Sequence, residues 1–210
     1  MVHVGAIGRA VCVVVVSAAL QGCIGKPEYA TAREYYQRGV ALSQDPRPER
    51  RDLRQALHYL NTAVRMDPKM ADAYRARGQV HQAEFRTDQA FRDFSKALQL
   101  NPGDHAAYSM RGAIQASRRR FAQAVADLTA AIERARDNPL YVYRRGLVYQ
   151  EWGKPREAVA DLYAAGMLFA RGGYMSSVED CIARIESLES GSPSSAALRA
   201  LLPKPKRKRR

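Results

Sequence analysis

Sliding the chain against itself by 34 residues brings four columns of like residues into register. One holds Gly78, Gly112 and Gly146; a second Ala56, Ala90, Ala124 and Ala158; a third Ala63, Ala97, Ala131 and Ala165; a fourth Leu60, Phe94, Leu128 and Leu162. A fixed stride of this length means that one supersecondary unit is built several times, each copy leaning on its neighbours because none buries its own apolar face. Inside the unit, Ala56, Leu60 and Ala63 are spaced four and three apart, which is one face of a helix. The glycine column marks the other, earlier helix of the unit; glycine on it and alanine on its partner let the pair approach closely, and the Leu/Phe column fills the layer between neighbours. Met66-Asp67-Pro68 and Leu100-Asn101-Pro102 end the alanine-bearing helices, since proline lacks the amide proton that the next turn needs.

The order Tyr74, Gly78, Ala90, Phe94, Ala97, Pro102 within 71–104 resembles the tetratricopeptide repeat, a glycine-bearing helix followed by an A-x3-F helix ending near proline. The resemblance implies an all-α fold: a right-handed α-α superhelix of four helix-turn-helix repeats over 32–70, 71–104, 105–138 and 139–172. Repeat one departs from the stride. Gly39 and Gly78 are 39 apart while Ala56 and Ala90 are 34 apart, so five extra residues lie between its helices, in a proline-bearing loop over 44–50. Repeats three and four lack the terminal proline and use Asp137-Asn138-Pro139 and Gly172-Gly173 instead. Beyond them Val178, Ile182, Ile185 and Leu188 form one apolar stripe, which predicts a capping helix within 174–190 with Cys181 beside the buried seam. Residues 191–195 read as a linker, 196–202 as a short helix or partly ordered segment, and 203–210 as a disordered tail.

The amino terminus has a different composition. Residues 1–9 carry one arginine and no acid, and 10–20 are an apolar run too short to span a bilayer, as in the start of a secretory signal over 1–22. The run ends in Leu20-Gln21-Gly22-Cys23, which resembles the lipobox of bacterial lipoproteins. That resemblance implies cleavage before Cys23, acyl chains on Cys23 and a short linker over 23–31. Ile24, where an aspartate would imply retention at the inner membrane, implies outer-membrane sorting. An ordinary cleaved signal or a short apolar helix is the other reading of this segment.

Nothing in the sequence has the spacing of a catalytic or metal site. His3, His58, His81 and His105 are scattered, Cys12, Cys23 and Cys181 lie far apart, and no phosphate loop or nucleophile elbow occurs, so neither enzyme activity nor a cofactor is expected. His81 stands three residues after Gly78 as Tyr149 does after Gly146, which suits a packing role. What remains is surface. In the family that the repeat resembles, ligands meet positions of the first helices flanking the glycine. On this chain those are Arg33, Tyr36, Val40, Arg75, Gln79, Gln82, Ser109, Ala113, Ala116, Tyr143, Arg144, Leu147 and Gln150. Arg75 and Gln79 echo a pair that holds a peptide carboxylate in some members, but Met110 and Leu140 replace other parts of that clamp. The groove therefore suits a partly apolar extended segment or helix of a protein.

Of the formal net charge of +13, six units sit on Lys204, Lys206, Arg207, Lys208, Arg209 and Arg210. Such a tail suits anionic lipid or an envelope polymer. No aromatic residue interleaves these charges to stack on bases, which argues against nucleic acid. The expectation is a lipid-anchored adaptor of a bacterial envelope; the alternative is a soluble or nuclear adaptor that uses the basic tail.

Overall fold

The computed structural model describes residues 31–45 and 52–203; the expected signal segment, Cys23, most of the loop in repeat one and the basic residues 204–210 lie outside them. Among the described residues there are ten α-helices and no strand: α1 (Ala32–Ser43), α2 (Leu53–Met66), α3 (Ala71–Ala83), α4 (Thr87–Leu100), α5 (His105–Ser117), α6 (Phe121–Arg134), α7 (Pro139–Glu151), α8 (Pro155–Arg171), α9 (Met175–Leu188) and α10 (Pro193–Arg199). Local chemistry sets their ends. Thr31 accepts from the Glu34 amide at 3.2 Å while the Glu34 carboxylate accepts from the Thr31 amide at 2.8 Å, a reciprocal cap that opens α1. Asp52, Asp104 and Asn138 cap α2, α5 and α7 through their side chains, and Pro139 takes the first position of α7, where a missing amide proton costs nothing.

Each glycine-bearing helix packs along the alanine-bearing helix that follows it, and that helix packs on the first helix of the next repeat. The alanine columns and Leu60, Phe94, Leu128 and Leu162 are fully or almost fully buried. Close approach explains the glycines: a β-carbon on Gly78 would lie 2.7 Å from Phe94 Cε1, inside van der Waals contact.

A second set of columns, unremarked in the apolar pattern, staples the layers. Arg77, Arg111 and Arg145 each reach sixteen residues on and grip Asp93, Asp127 and Asp161 through two nitrogens, at 2.6 to 2.9 Å. Hydrogen bonding to the carboxylate raises each guanidinium pKa against the opposing effect of burial. Arg77 also donates to Asn61 in α2 at 3.0 Å and Arg145 to Thr129 in α6 at 2.9 Å, so these two arginines tie three successive helices together.

The turns inside repeats two, three and four are alike. The amides of Arg86, Arg120 and Lys154 donate back to the carbonyls of His81, Gln115 and Tyr149, and the residue before each donor, Phe85, Arg119 or Gly153, has positive φ (59°, 57° and 75°). This is the glycine-favouring end of a helix, where a residue with a β-carbon costs about 1 kcal/mol or more. Phe85 is moreover 92% exposed and gains no packing in return. Phe85→Gly is therefore expected to raise unfolding free energy by about 1 kcal/mol in a urea titration; an unchanged or lower midpoint would show that the ring supports the monomer.

The far end is covered by a hairpin. α8 has 17 residues against 14 in α2, α4 and α6, and α9 lies on it through Val178, Cys181, Ile182 and Ile185. α10 then folds back: Leu198 is wholly buried, and a β-carbon on Gly166 would come within 2.7 Å of it. The expected linker over 191–195 is thus corrected. Pro193 opens α10, Ser192 and Ser195 are buried, and the cap is two helices, with α10 packed on both α9 and α8.

Candidate binding groove

The first helices of the repeats, α1, α3, α5 and α7, follow one another along one side of the array, with α1 touching α3 and α5 touching α7. A hollow of about 410 Å³ opens there, floored by Met110, Ala113, Ala116, Leu128, Leu147 and Val148, with Gln82, Ser117, Arg144 and Glu151 as its polar members. Five of the residues expected from sequence meet in it: Gln82, Ala113, Ala116, Arg144 and Leu147. Helical geometry is the reason, since positions two before, one after and four after the glycine share a face at 100° per residue. Positions five after it, Ser117 and Glu151, share that face too. They went unnamed although the same period points to them.

Arg144 spans two repeats, its Nη1 donating to Ser109 Oγ at 2.7 Å. Ser109 is consequently buried beneath the guanidinium and is not itself offered to a ligand. No carboxylate of the described residues pairs with Arg144, so its charge stays available at the edge of the hollow.

The other expected residues are placed differently. Arg33 is exposed on the first turn of α1, and Tyr36 and Val40 pack against the cluster of Ala56, Leu60, Ala76 and Val80, which joins repeats one and two. Arg75 donates to Asp72 at 2.8 Å, and its Nε lies 2.7 Å from Asp104 Oδ2, though off the hydrogen-bonding direction. Two carboxylates neutralise it, and Gln79 accepts from Gln44 at 3.5 Å, so the echo of a carboxylate-holding pair is internal structure. Gln150 is half-buried, with Oε1 lacking a hydrogen-bond partner. Tyr143 belongs to the cap: its hydroxyl donates to Asp180, its ring meets Phe169 edge-on at 6.1 Å, and Arg184 lies 5.7 Å over it. Burial, then that hydrogen bond, pushes its pKa up to about 12.

Other reactive groups are turned inward. Burial pushes the Cys181 thiol up to about 12, leaving negligible thiolate at neutral pH. His81 is buried, its pKa lowered by desolvation, which suits packing. Among the described residues no cluster of three or more His, Cys, Asp or Glu has the disposition of a metal site, and no helix is long and apolar enough to cross a membrane.

Residues 71–104 match the tetratricopeptide repeat family. Among solved structures, the crystal structure of MamA is similar over 71% of this chain and 86% of its own, with 16% identity and a TM-score of 0.61. YrrB, described as a TPR protein with an unusual peptide-binding site, is similar over 80% of this chain and 92% of its own, with 18% identity and a TM-score of 0.56. PilF of Pseudomonas aeruginosa is similar over 80% of each chain, with 20% identity and a TM-score of 0.56. No curated protein matches the sequence. At these identities the likeness is one of fold, the all-α repeat solenoid that the 34-residue stride implies.

Proposed function

We propose that this tetratricopeptide-repeat solenoid is a non-catalytic adaptor, held at a bacterial envelope membrane through acyl chains on Cys23, that grips a partly apolar segment of a partner protein in its groove. The observation that carries the reading is the hollow between α3, α5 and α7. It has an apolar floor, an arginine that no carboxylate of the described residues pairs with, and the carboxylate of Glu151 among its lining. Such a surface buries alternate side chains of a helix or extended segment, while its two charges fix direction. A small metabolite would require a converging set of polar groups to orient it, and the floor provides few. YrrB, similar in fold, is described as having a peptide-binding site, which supports a peptide-like ligand here.

The membrane part of the reading rests on the apolar run and on Leu20-Gln21-Gly22-Cys23, which lie outside the described residues. Two or more acyl chains hold a protein durably, each buried methylene adding about 0.8 kcal/mol. Tethering would raise the groove's effective concentration toward partners in the same membrane.

One experiment tests both parts. A photo-crosslinker at Ala113 in the full chain, expressed in a bacterial host that processes lipoproteins, is expected to trap a protein in the membrane fraction. Cys23→Ala is expected to move the chain to the soluble fraction after an alkaline wash. Crosslinks obtained only from Arg92, exposed on α4, would reject the groove, and unchanged retention of Cys23→Ala would reject the anchor.

A further inference from the structure

The turns inside the repeats, at 84–86, 118–120 and 152–154, recur every 34 residues, each between the two helices of its repeat. Arg118 of the middle turn pairs with Asp88 on α4 and lies 5.1 Å over the ring of Phe91. Phe121, just past that turn, stacks on Trp152 of the next at 6.2 Å. Cations cover these rings: Arg119 lies 5.5 Å over Phe121, and Lys154 Nζ is 3.8 Å from the centre of Trp152. No carboxylate of the described residues pairs with Arg119, Arg120 or Lys154. Phe85, at the tip of the first of these turns, is almost wholly exposed and sits in a backbone conformation that a bulky residue seldom adopts. Strain retained at an exposed apolar residue points to a contact outside the monomer.

We infer that this edge is a second, membrane-facing surface: it lies against an anionic phospholipid interface, with Phe85 inserted among the acyl chains and Arg119, Arg120 and Lys154 on the headgroup phosphates. Aromatic rings capped by arginine and lysine are the composition of proteins at the bilayer boundary, where the ring is amphipathic and the cation reaches the phosphate layer. Single-stranded nucleic acid is the weaker match. It needs ring faces free for stacking, whereas Phe91 and Phe121 are already under arginines and Trp152 is under Lys154. The inference takes its membrane from the anchor reading and is independent of what the groove holds.

Trp152 is the only tryptophan in the chain, so its fluorescence reports on this edge. With the full chain carrying Cys23→Ala, vesicles of phosphatidylglycerol and phosphatidylcholine containing brominated lipid are expected to quench Trp152, and pure phosphatidylcholine vesicles with brominated lipid to leave it bright. By co-sedimentation, Arg119→Glu/Arg120→Glu/Lys154→Glu should weaken binding about 100-fold or more, each basic residue being worth about fivefold at an anionic surface. The same charge change on the opposite edge, Arg65→Glu/Lys69→Glu/Arg136→Glu, should weaken it less than tenfold. Phe85→Gly should weaken binding about tenfold in a protein at least as stable as the parent. Absence of quenching, equal loss in the two triple variants, or binding of a single-stranded oligonucleotide without binding of vesicles would overturn the inference. An Ala113 crosslink that persists alongside such a failure would leave the groove reading standing.

Discussion

Asp127→Ala is expected to lower unfolding free energy by about 3 kcal/mol, a loss of roughly 6–12 °C in melting temperature for a chain of this size. Asp127 is 6% exposed and receives both Nε and Nη2 of Arg111, at 2.8 and 2.7 Å. Removing the carboxylate leaves a mostly enclosed guanidinium without its hydrogen-bond acceptor, the ring of Tyr108 lying 5.7 Å away. The large effect is the penalty of stranding a charge, and it differs from the net worth of the pair. Arg111→Met together with Asp127→Leu should recover most of the loss, because a buried pair and a well-packed apolar replacement are of similar stability. A urea titration of the three variants decides the matter. If Asp127→Ala lowers the unfolding free energy by less than about 1 kcal/mol, water reaches Arg111 and the pair behaves as a surface pair. If the double variant is no better than the single, the pair also carries specificity that apolar side chains do not reproduce.

These pairs also show where reading the sequence stopped short. The columns of glycine, alanine and Leu/Phe were legible because small and large apolar residues have one plausible use at a helical stride. Arg77, Arg111 and Arg145, with Asp93, Asp127 and Asp161, repeat with the same period, yet charged residues are ordinarily solvated and their recurrence looks like composition until the fold brings them within 3 Å. The groove divides in the same way. Period alone placed Gln82, Ala113, Ala116, Arg144 and Leu147 together, since these are face positions. It did not foresee that Arg75 would be neutralised by Asp72 and Asp104, or that Tyr143 would be taken by Asp180 of the cap, because those partners are fixed by how one repeat turns on the next. Phe85 is a third kind of case. Its strain follows from the turn that Gly153 makes without strain one repeat-pair later, and only φ reveals it.

Gly112→Leu is expected to be the more damaging change, about 3 kcal/mol or more, because it acts where two helices touch. A β-carbon there would already lie 3.2 Å from the Ala124 carbonyl oxygen and 3.3 Å from Asp127 Cβ and Leu128 Cγ. The first carbon needs its neighbours to yield by a few tenths of an ångström, and the other three carbons of leucine force α5 and α6 apart. Leu128, buried at 1%, is then pushed toward Val148 of α7, with which it packs, so the damage passes to repeat four. Ala126→Leu on the exposed face of α6 adds the same side chain without overpacking and should stay within about 0.5 kcal/mol of the parent. Thermal unfolding of the two variants tests the helix register, and an unaltered curve for Gly112→Leu would contradict the pairing of α5 with α6. Hydrogen exchange adds the spatial readout. In a solenoid each unit is held by its nearest neighbours, so protection should fall first across α5 and α6 and next along α7, while α9 and α10, closed on α8, keep theirs longest. Uniform loss of protection would mean that the cap and the repeats unfold as one unit, and that the junction at Gly112 governs the stability of the whole array.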